Sequence, residues 1–434
     1  MVALVVLLAC AAQGQSAMTA EARDDAIRKG FDFLDERLWR MQDGGSPQKQ
    51  YSIAITAWAS LLAADHEGDV KKLPSRTKEL ERLRKYLERY VGTVANEYGK
   101  SDEKARKRGK PADAGAKGDG GGDGLDGLDF GDLSKPLQYV WPVSMAAHYF
   151  AECFARGRDK ADAKQGLKDA IAVLEAAQQK NGGWGHDDAA RPGMGLPPIK
   201  IPKPGGGSEI YPATLLAASN CALSALGVAH ARLGTKTPAS LAKGIQYFLT
   251  AQNENGTFPY DPTQRHTLTG DTSAMAGGLE VARTPAAFFA LCCAGARLTG
   301  NEVRSAVRAM DDHPESWSEG HGSATMALQF AALASRARGD SAWSLFRRLY
   351  LPRILAHQEQ NGGFTCIAEA KQPGVTSDTE PLGDLPGMDD WIEQQKVYVT
   401  SIHVLILLLD RSRPGAIPPI VLPAETVPEP ASGK

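Results

Sequence analysis

The chain has 434 residues, with 49 Lys and Arg against 51 Asp and Glu, a formal net charge of −2. That balance excludes a protein built on electrostatic attraction to nucleic acid, which needs a basic excess. Hydrophobic residues at 42% and charged residues at 23% exclude a chain disordered throughout and leave enough apolar surface for a large core.

The N-terminus, Met1-Val-Ala-Leu-Val-Val-Leu-Leu-Ala-Cys10, is apolar but shorter than the ~20 residues that span a bilayer. It suits a signal peptide over residues 1–17, with small residues following as a cleavage zone. Leu7-Leu8-Ala9-Cys10 is also similar to a bacterial lipoprotein box, in which Cys10 takes the lipid. The expected localisation is export: periplasmic, extracellular or lipid-anchored. A lipid on Cys10 is the only membrane attachment expected.

Six pairs of helical segments follow. Residues 22–40 pair with 51–65, across a degenerate turn Gln42-Asp-Gly-Gly45. Residues 76–95 pair with 138–156. Between them, residues 98–135 are rich in Gly, Asp and Lys without apolar periodicity, and are expected to be a disordered insertion. Gly121 to Leu128 match one copy of a calcium-binding nonapeptide, but such sites need stacked copies. Residues 162–180 pair with 211–233 across a Pro/Gly-rich loop, 187–210, entered through His186, Asp187 and Asp188. Residues 239–252 pair with 284–298, a helix expected to begin Arg283-Thr284-Pro285; Arg265, His266 and Asp271 precede it. Residues 301–312 pair with 321–337, and His321 stands at the start of the second. Residues 342–359 pair with 396–411, and a Pro-rich tail occupies 416–434.

The first member of each pair is amphipathic, as in Glu79-Leu-Glu-Arg-Leu-Arg-Lys-Tyr-Leu87. The second is apolar nearly all round, as in Ser401-Ile-His-Val-Leu-Ile-Leu-Leu-Leu409, so it must be buried on all sides. None of the six cysteines (Cys10, Cys153, Cys221, Cys292, Cys293, Cys366) forms a CxxC pair; Cys153, Cys221, Cys292 and Cys293 lie in Ala-rich helical stretches, where buried thiols are expected. His148 and His403, on apolar helices, are expected to be satisfied core histidines.

An internal repeat organises these pairs. Leu167, Ile171, Leu174 and Gln178 stand at i, i+4, i+7 and i+11; Leu241, Ile245, Phe248 and Gln252 share the offsets, and Leu351, Ile354 and Gln358 repeat the last three. Each glutamine opens the same turn: Gln178-Gln-Lys-Asn-Gly182-Gly-Trp184, Gln252-Asn-Glu-Asn-Gly256-Thr-Phe258 and Gln358-Glu-Gln-Asn-Gly362-Gly-Phe364. The Asn-Gly step is expected to end the helix, with glycine in the left-handed C′ position. The aromatic is expected to fold back on the apolar stripe, and the glutamine to bridge exposed backbone groups. Six outer and six inner helices make an all-α fold, a single α6/α6 toroid over residues 22–415.

These turns resemble the QW repeats of squalene–hopene cyclases and the related repeats of protein prenyltransferase β-subunits. His321-Gly-Ser-Ala-Thr-Met-Ala-Leu328 and Tyr398-Val-Thr-Ser-Ile-His-Val-Leu405 are similar to secreted bacterial proteins carrying prenyltransferase/squalene-oxidase repeats. The resemblance covers about residues 22–415 and is specific for fold rather than reaction. It implies a terpenoid cyclase/protein prenyltransferase-like toroid, in which the inner-helix N-termini surround one mouth and favour anions.

Two chemistries known in the family are tested by motif. Cyclases protonate an alkene with Asp-x-Asp-Asp, because clustered carboxylates in an apolar cavity make a strong acid. This chain has only the single carboxylate of Gly270-Asp271-Thr272-Ser273. Prenyltransferases hold zinc through Asp-x-Cys and a later histidine; His321 is placed for the histidine, but the fourth inner helix lacks Asp-x-Cys. Neither a metal nor a cofactor is expected.

The expected function is an exported binding or scaffold module, holding an apolar, isoprenoid-like ligand or a protein partner at the toroid mouth. The alternative is an isoprenoid transferase or cyclase-like enzyme with a divergent site, using Asp271, Asp187 or His321 as catalytic groups. Arg265, His266, His186 and Tyr211 are the ligand-binding candidates in either case. A sugar-active enzyme is a third possibility, because α/α toroids also host lyases and hydrolases; it would use Asp187 and Asp188 with Asp271.

Overall fold

A computed structural model describes residues 19–41, 47–64, 75–108, 140–185, 199–202, 208–211, 214–235, 238–259, 273–297, 300–319, 324–367 and 388–420. The fold is all-α, with one short two-stranded hairpin. In chain order the helices are α1 (Ala20–Arg37), α2 (Pro47–Ala64), α3 (Thr77–Arg108), α4 (Val140–Ala155), α5 (Lys160–Ala177) and α6 (Leu216–Leu233). They continue with α7 (Ala239–Ala251), α8 (Ser273–Cys293), α9 (Asn301–Asp312), α10 (Ala324–Arg338), α11 (Asp340–Ala356) and α12 (Met388–Leu409). A single 3₁₀ turn, Pro314–Ser318, joins α9 to α10.

Sequence character sorts the helices into two sets. Along α9, Val303, Ala306 and Met310 are buried while Glu302, Arg304 and Arg308 are exposed, the pattern of a helix lying on a core. Along α12, every residue from Thr400 to Leu409 is buried. The even-numbered helices pack in succession: α2 on α4, α4 on α6, α6 on α8, α8 on α10, α10 on α12, and α12 back on α2. The odd-numbered helices lie against them: α1 on α12, α3 on α2, α5 on α4, α7 on α6, α9 on α8 and α11 on α10. At Gly227 of α6 an added Cβ would collide with the carbonyl of Cys293 in α8, so that crossing requires glycine.

A layer of rings crosses the interior of the even-numbered set. Trp58 of α2 stacks on His148 of α4 with ring centroids 5.3 Å apart; His148 meets Phe289 of α8 at 6.0 Å, and Phe289 meets Phe330 of α10 at 5.9 Å. All four side chains are buried. Offset and tilted ring pairs of this kind add to the area they remove from water.

The chain beyond α12 crosses the C-terminal ends of the even-numbered helices. Glu152 of α4, fully buried, accepts the backbone N–H groups of Gly415 and Ala416, both at 2.8 Å, and Arg156 Nε sits 2.5 Å from it. Arg232 of α6 donates to the Gly415 carbonyl. Arg413 and the Ile420 N–H both reach the Ala337 carbonyl of α10, at 3.2 and 2.9 Å. Residues 411–420 therefore form a strap tied to three helices, so the packed chain continues past the expected limit at residue 415. Ile417 and Ile420 supply the reason: both bury against the core.

Other expected boundaries also move. Helix α3 runs on to Arg108, into the segment expected to be disordered, because residues 100–108 are nearly all good helix formers with opposite charges at i,i+4 spacing. Helix α8 begins at Ser273 rather than near Thr284 and carries Pro285 inside, where the Thr284 hydroxyl donates to the Glu280 carbonyl at 2.9 Å. The expected loop 187–210 contains strand β1 (Ile199–Pro202), paired antiparallel with β2 (Ser208–Tyr211). Isoleucines alternating with polar residues on either side of Pro204-Gly-Gly-Gly207 account for this hairpin. Helix α6 accordingly starts at Leu216, not at Tyr211.

Candidate functional site

The three repeated turns are one structure built three times. Helices α5 and α7 end at Ala177 and Ala251, with Gln178 and Gln252 already in extended backbone conformation. The next residues form a tight hairpin. In the first copy the Gly182 N–H donates to the Gln179 carbonyl at 2.9 Å and the Gln179 N–H to the Gly183 carbonyl at 2.9 Å. Asn253, Gly256 and Thr257 repeat the pattern, as do Glu359, Gly362 and Gly363. This is a three-residue hairpin loop with its last residue left-handed, not the expected glycine helix cap. Gly182, Gly256 and Gly362 have φ of +91°, +87° and +92°. The asparagine explains the difference: its Oδ1 accepts the N–H two residues on, at 2.9–3.1 Å in each copy, and so favours a turn over continued helix.

Each glutamine ties its hairpin to the next odd-numbered helix. Gln178 Nε2 donates to the carbonyls of Gly182 and of Ser240 in α7, both at 2.9 Å. Gln252 Nε2 reaches Gly256 at 3.0 Å and Glu302 of α9 at 2.7 Å. Gln358 Nε2 reaches Gly362 at 3.0 Å and Ala26 of α1 at 2.9 Å. The left-handed glycine then lies against that helix: a Cβ would strike the carbonyl of Lys243, the backbone of Ser305 or the carbonyl of Lys29 respectively. Trp184, Phe258 and Phe364 are fully buried. Trp184 Nε1 donates to the Leu174 carbonyl at 2.7 Å; its backbone N–H goes to Ser219 of α6, and that of Phe364 to Thr400 of α12.

The hairpins stand beside the N-terminal halves of the even-numbered helices, where a polar string crosses the interior. The Tyr51 hydroxyl of α2 donates to Gln329 Oε1 of α10 at 2.7 Å, and Gln329 Nε2 lies 3.5 Å from Met145 Sδ of α4. Tyr398 of α12 packs on Tyr51, ring centroids 5.6 Å apart. Burial holds the Tyr51 hydroxyl well above the usual tyrosine range, so it stays a neutral donor. Deeper in, His148 Nε2 is 3.1 Å from Ser224 Oγ of α6, and the Ser224 hydroxyl bonds the Cys221 carbonyl. Burial pushes His148 down to about 3, so it is a neutral ring in a dry layer.

His403, expected to be a satisfied core histidine, has no partner on either ring nitrogen; its ring meets Phe364 edge to face at 5.4 Å. Burial again holds it at about 3, and apolar packing rather than hydrogen bonding positions it. Cys153, Cys221, Cys292, Cys293 and Cys366 are free and buried. Burial pushes the Cys292 thiol up to about 12, which makes it unreactive.

Of the candidate site residues, Asp187, Asp271, His321, His186, Arg265 and His266 lie outside the described residues, as do Cys10, the 109–135 part of the insertion and the Gln42 turn. Tyr211 is described as backbone only, at the end of β2. Each of these site residues, Tyr211 included, belongs to a segment that joins an odd-numbered helix to the following even-numbered one. Among the described residues, no group of three or more His, Cys, Asp or Glu is placed to hold a metal ion, and no helix is long and apolar enough to cross a membrane.

Two features were not singled out from the sequence. One is the Tyr51–Gln329–Met145 string, whose members are far apart in the chain and carry no motif. The other is Glu280, buried on α8 and held by Asn253 and Thr257 of the second hairpin. Setting α8 to begin at Thr284 put Glu280 outside any helix. Aligning the three hairpins on their following even-numbered helices is the signal that would have found it. A scan against protein-family models matches none to this chain.

Proposed function

We propose that the chain is a single α6/α6 toroid of the prenyltransferase/squalene-oxidase repeat type, acting as an exported binding or scaffold module. Its ligand, an apolar isoprenoid-like molecule or a protein partner, sits at the mouth formed by the N-terminal ends of the inner, even-numbered helices. The succession of helix contacts from α2 through α12 and back to α2 supports the toroid. So do the third hairpin's bonds from Gln358 to α1, which repeat the bonds the first two make within the chain.

The observation that carries the functional reading is the asymmetry of the two ends. The strap 411–420 covers the C-terminal ends of α4, α6 and α10, and the ring layer of Trp58, His148, Phe289 and Phe330 fills the interior above it. The remaining end has the Tyr51–Gln329 string as its floor and carries the N-terminal ends of the inner helices. A ring layer across the interior favours a ligand held at the mouth over a long chain swallowed whole, as a cyclase would need. In the alternative, a divergent transferase, Asp271, Asp187 or His321 acts at that same mouth.

Native mass spectrometry of the protein purified from its own host, followed by lipid extraction, tests the reading. A stoichiometric polyprenyl or other lipid, lost on replacing Tyr51 and Tyr398 by alanine, supports a lipid-binding mouth. A co-purifying protein lost on the same replacement supports the scaffold form. Turnover of an isoprenyl diphosphate that needs Asp271, Asp187 or His321 overturns both in favour of the enzyme.

A further inference from the structure

The second hairpin differs from the other two in one respect. Its first residue, Asn253, and Glu280 of α8 face each other where the hairpin meets the inner helix, and both are more than nine-tenths buried. Asn253 Nδ2 donates to Glu280 Oε2 and to Thr257 Oγ1, each at 3.0 Å. The Thr257 hydroxyl lies 3.0 Å from Glu280 Oε2 and 2.7 Å from Asn255 Oδ1, with one proton to share between them. The carboxylate accepts only, so the amide must turn its NH₂ toward it; this fixes the Asn253 orientation. Every donor in the cluster is then engaged. Asn253 Oδ1 is buried without a partner, neither hydrogen bond to Glu280 falls on Oε1, and no Lys, Arg or His among the described residues is ion-paired to Glu280.

The third hairpin shows the same position filled. Its first residue is Glu359, and the inner helix presents Lys396, whose Nζ lies 2.8 and 2.9 Å from the two carboxylate oxygens. Lys396 stands four residues before Thr400, as Glu280 stands four before Thr284. At this position the first repeat has Gln179 and Leu215 and carries no charge. Among the described residues, the second of these three hairpins has a carboxylate at this position with no cation paired to it.

We propose that the Asn253–Thr257–Glu280 cluster is a binding site for a primary ammonium group. A buried carboxylate without a counter-ion is costly, and a cation relieves that cost most. The spare groups are acceptors only, so the ligand must bring donors. An ammonium offers three and no acceptor, whereas a hydroxyl would bring a lone pair with nothing to satisfy it. The site stands on described residues alone and is independent of what the toroid mouth holds.

Isothermal titration of the full-length protein with n-hexylammonium chloride and with Nα-acetyl-lysinamide tests this. The expected result is saturable one-site binding of at least one of them. The former alone points to a small amine, the latter to the lysine of a peptide. Hexyltrimethylammonium, with the charge but no N–H donor, and hexanol, with a donor but no charge, should not bind. Glu280→Gln should weaken binding by about tenfold or more, the loss of one charge-assisted hydrogen bond, while Glu359→Gln leaves it unchanged. Equal binding of hexyltrimethylammonium, equal affinity in a folded Glu280→Gln protein, or no saturable binding of either amine overturns the proposal. The comparison of ammonium with trimethylammonium uses the wild-type protein and stands even if the variant fails to fold. A negative result leaves the lipid or scaffold reading of the mouth untouched.

Discussion

A single glutamine amide in each hairpin holds two carbonyls, one in its own hairpin and one in the next odd-numbered helix, and the left-handed glycine beside it lets that helix approach. Replacing Gln252 by alanine leaves the Gly256 and Glu302 carbonyls without that donor and should cost about 1–3 kcal/mol in urea unfolding. Gly362→Ala combines a positive φ with a collision against the Lys29 carbonyl and should cost about 2 kcal/mol or more. Trp184→Ala opens a cavity in the core and should cost about 3–5 kcal/mol; a near-neutral result would reject the packing role given to it. The repeat made these residues legible from spacing alone. What spacing did not reveal was the kind of turn, because an Asn-Gly step serves a helix cap and a hairpin equally well.

The buried histidines set a pH dependence at the same scale. His148 and His403 are held near 3 when folded and return to about 6.5 when unfolded. Between those values the unfolded chain binds more protons, so stability is complete above 6.5 and falls as pH drops toward 3. Urea midpoints measured at pH 7.5, 5.5 and 4 should fall in that order, and His403→Leu should flatten the fall. A midpoint constant down to pH 4 would contradict the dry, neutral placement of both rings.

Among the elements, the terminal strap behaves as a part of the core rather than a tail. Residues 411–420 give Glu152 two of its hydrogen bonds. Truncation after Asp410 should therefore cost about 3 kcal/mol or more, since it strips partners from a buried carboxylate. Glu152→Gln should recover part of that loss in the truncated chain and none in the full one; this double-mutant cycle assigns the cost to the carboxylate. In the sequence this stretch reads as a Pro-rich tail, extended along the barrel or free; its ties to Glu152 and Ala337 are long-range, and Ala416, Ile417 and Ile420 are too few to form a periodic pattern. The helices themselves were legible, as amphipathic and wholly apolar periodicities alternate without exception. Their ends were less so where Pro285 imitated a helix start and where a charged run prolonged α3.

At the scale of the whole molecule, the proposed toroid requires the last repeat to close onto the first. Asp410 of the strap entrance binds Arg23 of α1 at 2.5 Å and Trp343 of α11 at 3.0 Å, and Arg411 pairs with Asp24 at 3.2 Å. Arg37 of α1 also pairs with Glu393 of α12. These contacts tie α1 to α12 and to the residues that follow it. The candidate catalytic residues Asp187, Asp271 and His321 were legible only as types, since a lone Asp or His before a helix has no spacing partner to define its role.

A circular permutant tests the proposed closure of the last repeat onto the first. Residue 420 is linked to residue 19 through a flexible Gly/Ser segment and the chain is opened within residues 65–74, between α2 and α3. In a ring, the order in which helices are strung does not matter once the ends are neighbours. The permutant should unfold in one cooperative thermal transition close to that of the parent. Loss of cooperativity, with α1 and α2 melting apart from the rest, would mean that the last repeat does not hold the first.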